Sequence, residues 1–174
     1  EVKNVPTKEI VEREINNYIE NNIDDCLKGF EEFKQMGFEI NLTGIVVVSE
    51  IKEDRIVINL KTYLVVSKNE VKEEFKEFNS EVKKIRILQL LKLSDEIAIE
   101  QIKYPKSICF NCLNDLAEKY KVKIEILDTN KVNEFIYVIT DKESLIDKEY
   151  LKWIFGTRYN FPECKSAEEC LNEI

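Results

Sequence analysis

Apolar residues in this chain repeat with two different periods, in separate stretches, and any fold must accommodate both. Between Thr7 and Gly37 they recur every three or four residues, which is the period of one face of an α-helix. Thr7 suits the N-cap of such a helix, and Gly37 suits its C-terminal cap. The stripe consists of Val11, Ile15, Ile19, Ile23, Cys26, Leu27, Phe30 and Phe33. We therefore predict one long amphipathic helix whose opposite, polar face is solvated.

Residues 45–67 show the second period. A β-branched run at 45–48 is followed by the turn-like residues 52–54, and apolar and polar residues then alternate from 55 to 67. One face of the alternating stretch carries Ile56, Ile58, Leu60, Thr62, Leu64 and Val66. This pattern predicts an antiparallel hairpin with one buried face.

The remaining elements follow from the same two periods. Residues 69–103 return to helical spacing through Val71, Phe75, Phe78, Val82 and Ile85, which predicts helices with one or two breaks. Another helix is predicted from Pro105 to Tyr120, and strands at 122–127, 135–140 and 150–155.

This order of elements predicts an α+β fold. Its parts are a long N-terminal amphipathic helix, a mainly antiparallel sheet of two hairpin regions plus a C-terminal strand, and helices packed on one face. We predict a single globular domain over residues 1–174, with a cysteine-containing tail at 159–174.

The charge balance narrows the possible partners. The chain has 34 acidic and 26 basic residues, a formal net charge of −8 and a pI near 4.9. Phosphate binding needs a positive surface, so these values argue against nucleic acid and against anionic lipid surfaces. No apolar run is long enough to span a bilayer.

The chain contains five cysteines and no histidine. Without histidine, a catalytic pair of serine or cysteine with histidine is excluded. Neighbouring acidic residues are expected by chance among 34 carboxylates, and we interpret them as solvated. We therefore expect neither an enzyme nor a bound cofactor.

Four of the cysteines form two close pairs, Cys109 with Cys112 and Cys164 with Cys170. Each pair is a disulfide candidate if the chain is exported. The four together could alternatively bind zinc in a cytosolic interaction module, although the spacing of the second pair fits structural zinc poorly. The first pair also has the spacing of a thiol oxidoreductase, which would need an exposed, reactive Cys109 at a helix N-terminus. The sequence does not give the connectivity, and Cys26 could pair with one of the other cysteines. Because Cys26 lies on the apolar stripe of the first helix, it is the first candidate for the unpaired thiol.

Asn41-Leu42-Thr43 is an N-glycosylation sequon at a position predicted to lie in a loop. Sequons arise by chance in an Asn-rich chain, so Asn41 is a glycosylation candidate only.

Several short motifs occur in a characteristic order along residues 7–159: Tyr18-x7-Cys26-Leu27-x2-Phe30-x2-Phe33, Gly37-Phe38-x-Ile40, Gly44, the hairpin of residues 45–66, the helix around Leu88–Ile97, Cys109-x2-Cys112-Leu113, and Trp153-x-Phe155 followed by Tyr159. In this order the chain resembles a group of membrane-anchored surface proteins of DPANN archaea. In that group a pilin-like hydrophobic N-terminus with a class III signal precedes an extracytoplasmic domain. The tail with Cys164 and Cys170 does not match the group's pattern.

The resemblance implies a non-catalytic extracytoplasmic domain at the cell surface, acting in binding, adhesion or surface assembly. The implied partner is a protein or a cell-surface ligand of unknown identity. Because the chain starts at Glu1 without the group's anchor, we expect membrane attachment only through a segment upstream. The group brings no activity that could be carried over to this chain.

Overall fold

The structure, a computed structural model, describes residues 5–27 and 30–161. Over these residues the chain forms four helices and two three-stranded antiparallel sheets, which confirms the predicted α+β class. The elements are, in order, α1 (Lys8–Leu27), α2 (Phe30–Gln35), β1 (Glu39–Ile51), β2 (Arg55–Lys68), β3 (Val71–Lys83), α3 (Ile87–Lys103), α4 (Phe110–Tyr120), β4 (Val122–Asp128), β5 (Glu134–Ile146) and β6 (Glu149–Arg158).

The chain divides into two compact units, the first being Pro6–Ile87 and the second beginning at Leu88. The first unit holds α1, α2 and the sheet β1-β2-β3, and the second holds α3, α4 and the sheet β4-β5-β6. The single domain predicted over residues 1–174 would fold as one cooperative unit. Two compact units within a chain can still unfold together, so the single domain stays a prediction.

The predicted N-terminal helix is described as α1 and α2, and residues 28–29 between them lie outside the described residues. The predicted N-cap is correct, because the Thr7 hydroxyl oxygen accepts a hydrogen bond from the Ile10 backbone N–H at 3.4 Å.

Gly37 ends α2 as the cap residue, with a φ of +85°. Its N–H donates to the Lys34 carbonyl at 2.9 Å, and the Phe38 N–H donates to the Phe33 carbonyl at 3.0 Å. The rings of Phe33 and Phe38 lie 6.3 Å apart between centroids. These two bonds and the apolar contact form a Schellman motif, which satisfies carbonyls that the helix end leaves open.

The polar face of α1 is solvated as predicted at Arg13, Glu14 and Asn17, but its Glu12, Asn16 and Glu20 bond instead to the free edge of β1. The Ile51 N–H donates to a Glu12 carboxylate oxygen at 2.7 Å, and the Ser49 N–H donates to the Asn16 amide oxygen at 2.7 Å. The Val47 N–H donates to Glu20 at 2.8 Å. The acceptors are spaced by four residues on the helix and the donors by two on the strand, so both sets lie in line. We call this set of bonds the α1–β1 ladder.

The predicted hairpin is confirmed as β1 and β2, which pair antiparallel from Glu39 opposite Ser67 to Ile51 opposite Ile56. Its register shifts between Thr43 and Val46, so that two residues of β1 lie opposite Thr62 alone. Gly44 occupies this bulge with a φ of +67°, a conformation that glycine adopts without strain. The Thr62 hydroxyl donates to the Thr43 carbonyl at 3.0 Å.

The prediction of a helix over residues 71–83 is wrong, because this segment is strand β3, paired antiparallel with β2. A second register shift, between Lys61 and Leu64, sets two residues of β2 against one of β3. Phe78 lies opposite Leu60 and Phe75 lies opposite Leu64. The shift therefore places apolar residues three apart on one side of a strand, which imitates helical spacing in the sequence.

The second unit has its core where α3 and α4 meet the sheet β4-β5-β6. The buried cluster consists of Leu90, Leu93, Ile97, Leu113, Tyr137, Ile139 and Tyr159. Tyr137 and Tyr159 share a buried hydrogen bond of 2.6 Å between their hydroxyls. The indole N–H of Trp153 donates to the Ser94 hydroxyl at 2.9 Å. The prediction that the helices of the whole chain pack on one face stays a prediction.

The helix over 87–103 and the three C-terminal strands are at their predicted places, but α4 begins later than predicted. Pro105 lies in a turn, and its carbonyl accepts the Asn160 N–H at 2.8 Å. The helix starts at Phe110 because Cys109 serves as its N-cap.

We predict that Asn16→Ala lowers the free energy of unfolding by about 1–2 kcal/mol, because the Ser49 N–H loses its acceptor at a buried position. Asn17→Ala is the matched control, since Asn17 is exposed on the same helix and alanine is the better helix former. Urea unfolding followed by circular dichroism measures both variants. Equal effects of the two substitutions would contradict the ladder.

Candidate functional site

The Cys109–Cys112 pair lies at the N-terminus of α4, and the two sulfur atoms are joined in a disulfide. Cys109 is the N-cap residue, and its sulfur accepts the Cys112 backbone N–H at 3.3 Å. The Cα atoms of the pair are 5.3 Å apart, within the range that a disulfide spans. The structure therefore brings together the first predicted cysteine pair.

This disulfide is attached to the core of the second unit. Leu113, next to Cys112, is a buried member of the core cluster, and Ile108, next to Cys109, packs against the same cluster. Both cysteines are half-buried. The bond thus clamps the first turn of α4 between two residues that the core already holds.

A cleft of about 400 Å³ lies beside the disulfide. We call it the α3–α4 cleft, because its walls come from these two helices. It is lined by Glu96, Ile99, Glu100, Lys103, Cys112, Asp115 and Leu116. Cys109 lines a different and much smaller void, beside Tyr159.

Carboxylates outnumber amines on the walls of the α3–α4 cleft. A hydrogen bond from Lys119 lowers the pKa of Glu96, which also accepts the Tyr120 hydroxyl at 2.8 Å. The Lys103 ammonium lies 2.5 Å from Glu100. The carboxylates of Glu96 and Glu100 are thus already paired with lysines of the protein. The negative charge of the cleft next to Cys112 opposes formation of a thiolate at that cysteine.

The approach of the chain to the cysteine pair also differs from that of a thioredoxin-type site. Such a site follows a strand in a βαβ unit. Here α3 ends at Lys103, and the residues between Lys103 and Cys109 include turns. The geometry is that of a structural clamp at a helix start.

The structure does not test the predictions made for the three remaining cysteines. Cys164 and Cys170 lie outside the described residues, and so does the side chain of Cys26. Their disulfide and thiol assignments stay predictions. The zinc alternative also stays a prediction, and it requires a reduced form of the protein, because Cys109 and Cys112 are bonded to each other here.

Asn41 lies within β1, opposite Val65, and not in the predicted loop. The sequence missed this because strand β1 begins at Glu39, six residues before the β-branched run that indicated it. The side chain is exposed, so Asn41 remains a glycosylation candidate.

A second surface, which the sequence analysis missed, is strand β3. Val82 is half-buried, and the other residues of the strand are exposed. Phe75 and Phe78 are 43% and 40% exposed, and their stacked rings lie 6.1 Å apart. Aromatic side chains in contact on an exposed strand are typical of an interaction surface.

Comparisons of the chain with protein-family models, with curated proteins and with solved structures found no match. None of the described helices combines the length and the apolar character needed to cross a bilayer.

We predict that replacing both cysteines, in C109S/C112S, lowers the free energy of unfolding of the second unit by about 2 kcal/mol, because a four-residue loop is released. Serine also caps helices, so the N-cap is retained. The chain's one tryptophan, Trp153, packs on this core, so its fluorescence during urea unfolding reports the change. As the control, a reductant should destabilise the native chain more than the variant. Unchanged stability in C109S/C112S would contradict the clamp.

Proposed function

We propose that the chain is a non-catalytic, extracytoplasmic domain of a membrane-anchored surface protein, and that it acts in binding, adhesion or surface assembly. The single observation that supports the binding role best is strand β3, a thirteen-residue sheet edge with exposed aromatic side chains. A strand edge presents backbone donors and acceptors in a row, so it can pair with another chain.

The disulfide supports the proposed compartment. Stable disulfides persist in oxidising environments and are rare where glutathione and thioredoxin keep thiols reduced. Cys109 and Cys112 are linked, half-buried and attached to the core, which is the setting of a structural bond. The same observation favours a non-catalytic role for the pair.

The second candidate is a thiol oxidoreductase, because Cys109 caps a helix N-terminus and Cys112 lines the α3–α4 cleft. It requires a nucleophilic thiolate at Cys109 in the reduced protein. After reduction, rapid alkylation of Cys109 at pH 6 would support it, and slow alkylation would remove it.

The compartment can be tested on protein from its native source. Thiols are trapped with an alkylating reagent before lysis, and the chain is digested with trypsin without reduction. Cleavage after Lys106 and Lys119 yields a peptide of residues 107–119 that holds both cysteines of the pair and no other. We expect this peptide to carry no alkyl groups and to have a mass two hydrogens below that of the dithiol peptide. A doubly alkylated peptide would contradict an oxidising compartment.

Protease treatment of intact cells supplies an independent measurement. We expect peptides of this chain to be released from intact cells, with a cytoplasmic protein as the control that is not released. Release only after lysis would overturn the surface location.

A further inference from the structure

Strand β3 is the open edge of the first unit's sheet. The strand order is β1-β2-β3, and the outer edge of β1 is covered by the α1–β1 ladder. Among the residues that the structure describes, β3 has a strand neighbour on one side only. Long edges are usually protected against pairing by charged side chains, proline, bulges or short length. β3 is long and has no proline, and its charged residues are of both signs, so they repel a second strand only in registers that oppose like charges.

Most of the charges and all of the apolar residues of this edge are arranged symmetrically about a point between Lys76 and Glu77. Reading outward from that point, lysine on one side corresponds to glutamate on the other, phenylalanine to phenylalanine, and valine to valine. The exceptions are Glu74 and Glu73, which correspond to the uncharged Asn79 and Ser80. The corresponding positions are Lys76 and Glu77, Phe75 and Phe78, Lys72 and Glu81, Val71 and Val82, and, with the preceding turn, Glu70 and Lys83. An antiparallel pair of identical strands places just such positions opposite each other.

The register shift between β2 and β3 determines which of these residues lie on the same face of the sheet. Burial alternates through the shift in β2, with Thr62 and Leu64 buried and Lys61 and Tyr63 exposed, so Leu60 and Leu64 point to the same face. Their partners Phe78 and Phe75 share that face and touch, although three residues separate them. The alternation of faces along β3 therefore changes at its centre.

Contacts on the opposite face of the sheet agree with this change. On one side of the centre, Glu74 is bonded to Lys72 at 2.8 Å, and hydrogen bonds from Lys72 and Tyr63 lower the pKa of Glu74. On the other side, Asn59 donates to Glu77 and, at 2.9 Å, to Asn79. Even-numbered residues before the centre and odd-numbered residues after it thus lie on one face.

Directly opposed residues in a sheet point to the same face. For two copies of β3, a twofold axis between Lys76 and Glu77 satisfies this condition for Glu74 opposite Asn79 and for Phe75 opposite Phe78. Every opposed pair then has one member before the change of face and one member after it. Shifting the register by one residue, which moves the axis by half a residue, opposes Lys76 to Lys76 or Glu77 to Glu77, and it also mismatches the faces. Geometry and charge therefore agree on the register with the axis between Lys76 and Glu77.

We propose that two copies of this chain associate through β3, antiparallel and about this twofold axis, to form one continuous six-stranded sheet. The opposed pairs are Phe75 with Phe78, Val71 with Val82, Lys72 with Glu81, and Lys76 with Glu77, each occurring twice. No pair of like charge is opposed in this register. The inference names a second copy as the partner in the assembly role proposed above, and it rests on that role.

Charge-swap variants of the full chain test this dimer in sedimentation equilibrium, with reductant present to exclude intermolecular disulfides. Lys76→Glu and Glu77→Lys should each weaken dimerisation by about tenfold or more, because each opposes like charges twice across the axis. The double swap K76E/E77K restores unlike pairs and should restore the dimer. Lys106→Glu, at an exposed turn of the second unit, is the control of equal charge change and should leave the dimer unaffected.

A folded, monomeric native chain at all accessible concentrations would overturn the proposal, as would a dimer that the single swaps do not weaken or that the double swap does not restore. Circular dichroism establishes that each variant is folded. These measurements use purified protein, so a failed dimer leaves the thiol-trapping and protease results unaffected, and the two proposals fail separately.

A photo-reactive phenylalanine analogue at Val71 tests the register. Val71 and Val82 are about 36 Å apart along one strand, so a link between them must join two chains. We expect attachment to the tryptic peptide 77–83 of the partner copy. Attachment to any other peptide of the partner copy would contradict this register.

Discussion

The α1–β1 ladder is the interaction on which the arrangement of the first unit depends. It supplies acceptors from Glu12, Asn16 and Glu20 to three backbone N–H groups at buried or half-buried positions of an edge strand. Unsatisfied, each such donor would destabilise the fold by about 1–3 kcal/mol. Side chains of α1 thus take the place that a further strand would have beside β1, and they accept the hydrogen bonds of its outer edge.

Closing one edge leaves the sheet asymmetric. Strand β3 remains as the edge at which backbone groups can pair, and the bulge opposite its centre sets which residues share a face. Gly44 and Thr62 mark the corresponding irregularity between β1 and β2. Both register shifts involve Thr62, so the sheet is irregular along one line across its three strands. That line lies at the centre of the symmetric charge pattern of β3.

The second unit is stabilised differently, through a buried cluster between two helices and a sheet, and a disulfide at the start of α4. The sequence predicted its helix, its strands and the position of the cysteine pair, because their periods are regular. The start of α4 was misplaced, since Pro105 is a common first-turn residue and the N-cap role of a disulfide-bonded Cys109 has no distinct sequence signal.

Periodicity and composition by themselves determined the α+β class, the hairpin of β1 and β2, and the absence of a histidine-dependent site. Periodicity failed at β3, because a bulge on the neighbouring strand changes which residues of β3 share a face, and that change exists only once the strands are paired. It failed also at Glu12, Asn16 and Glu20 on the polar face of α1, because polar side chains that bind water and polar side chains that bind strand N–H groups follow the same sequence pattern. Tertiary structure alone decided which edge of the sheet is closed, since that depends on which groups lie within hydrogen-bonding distance.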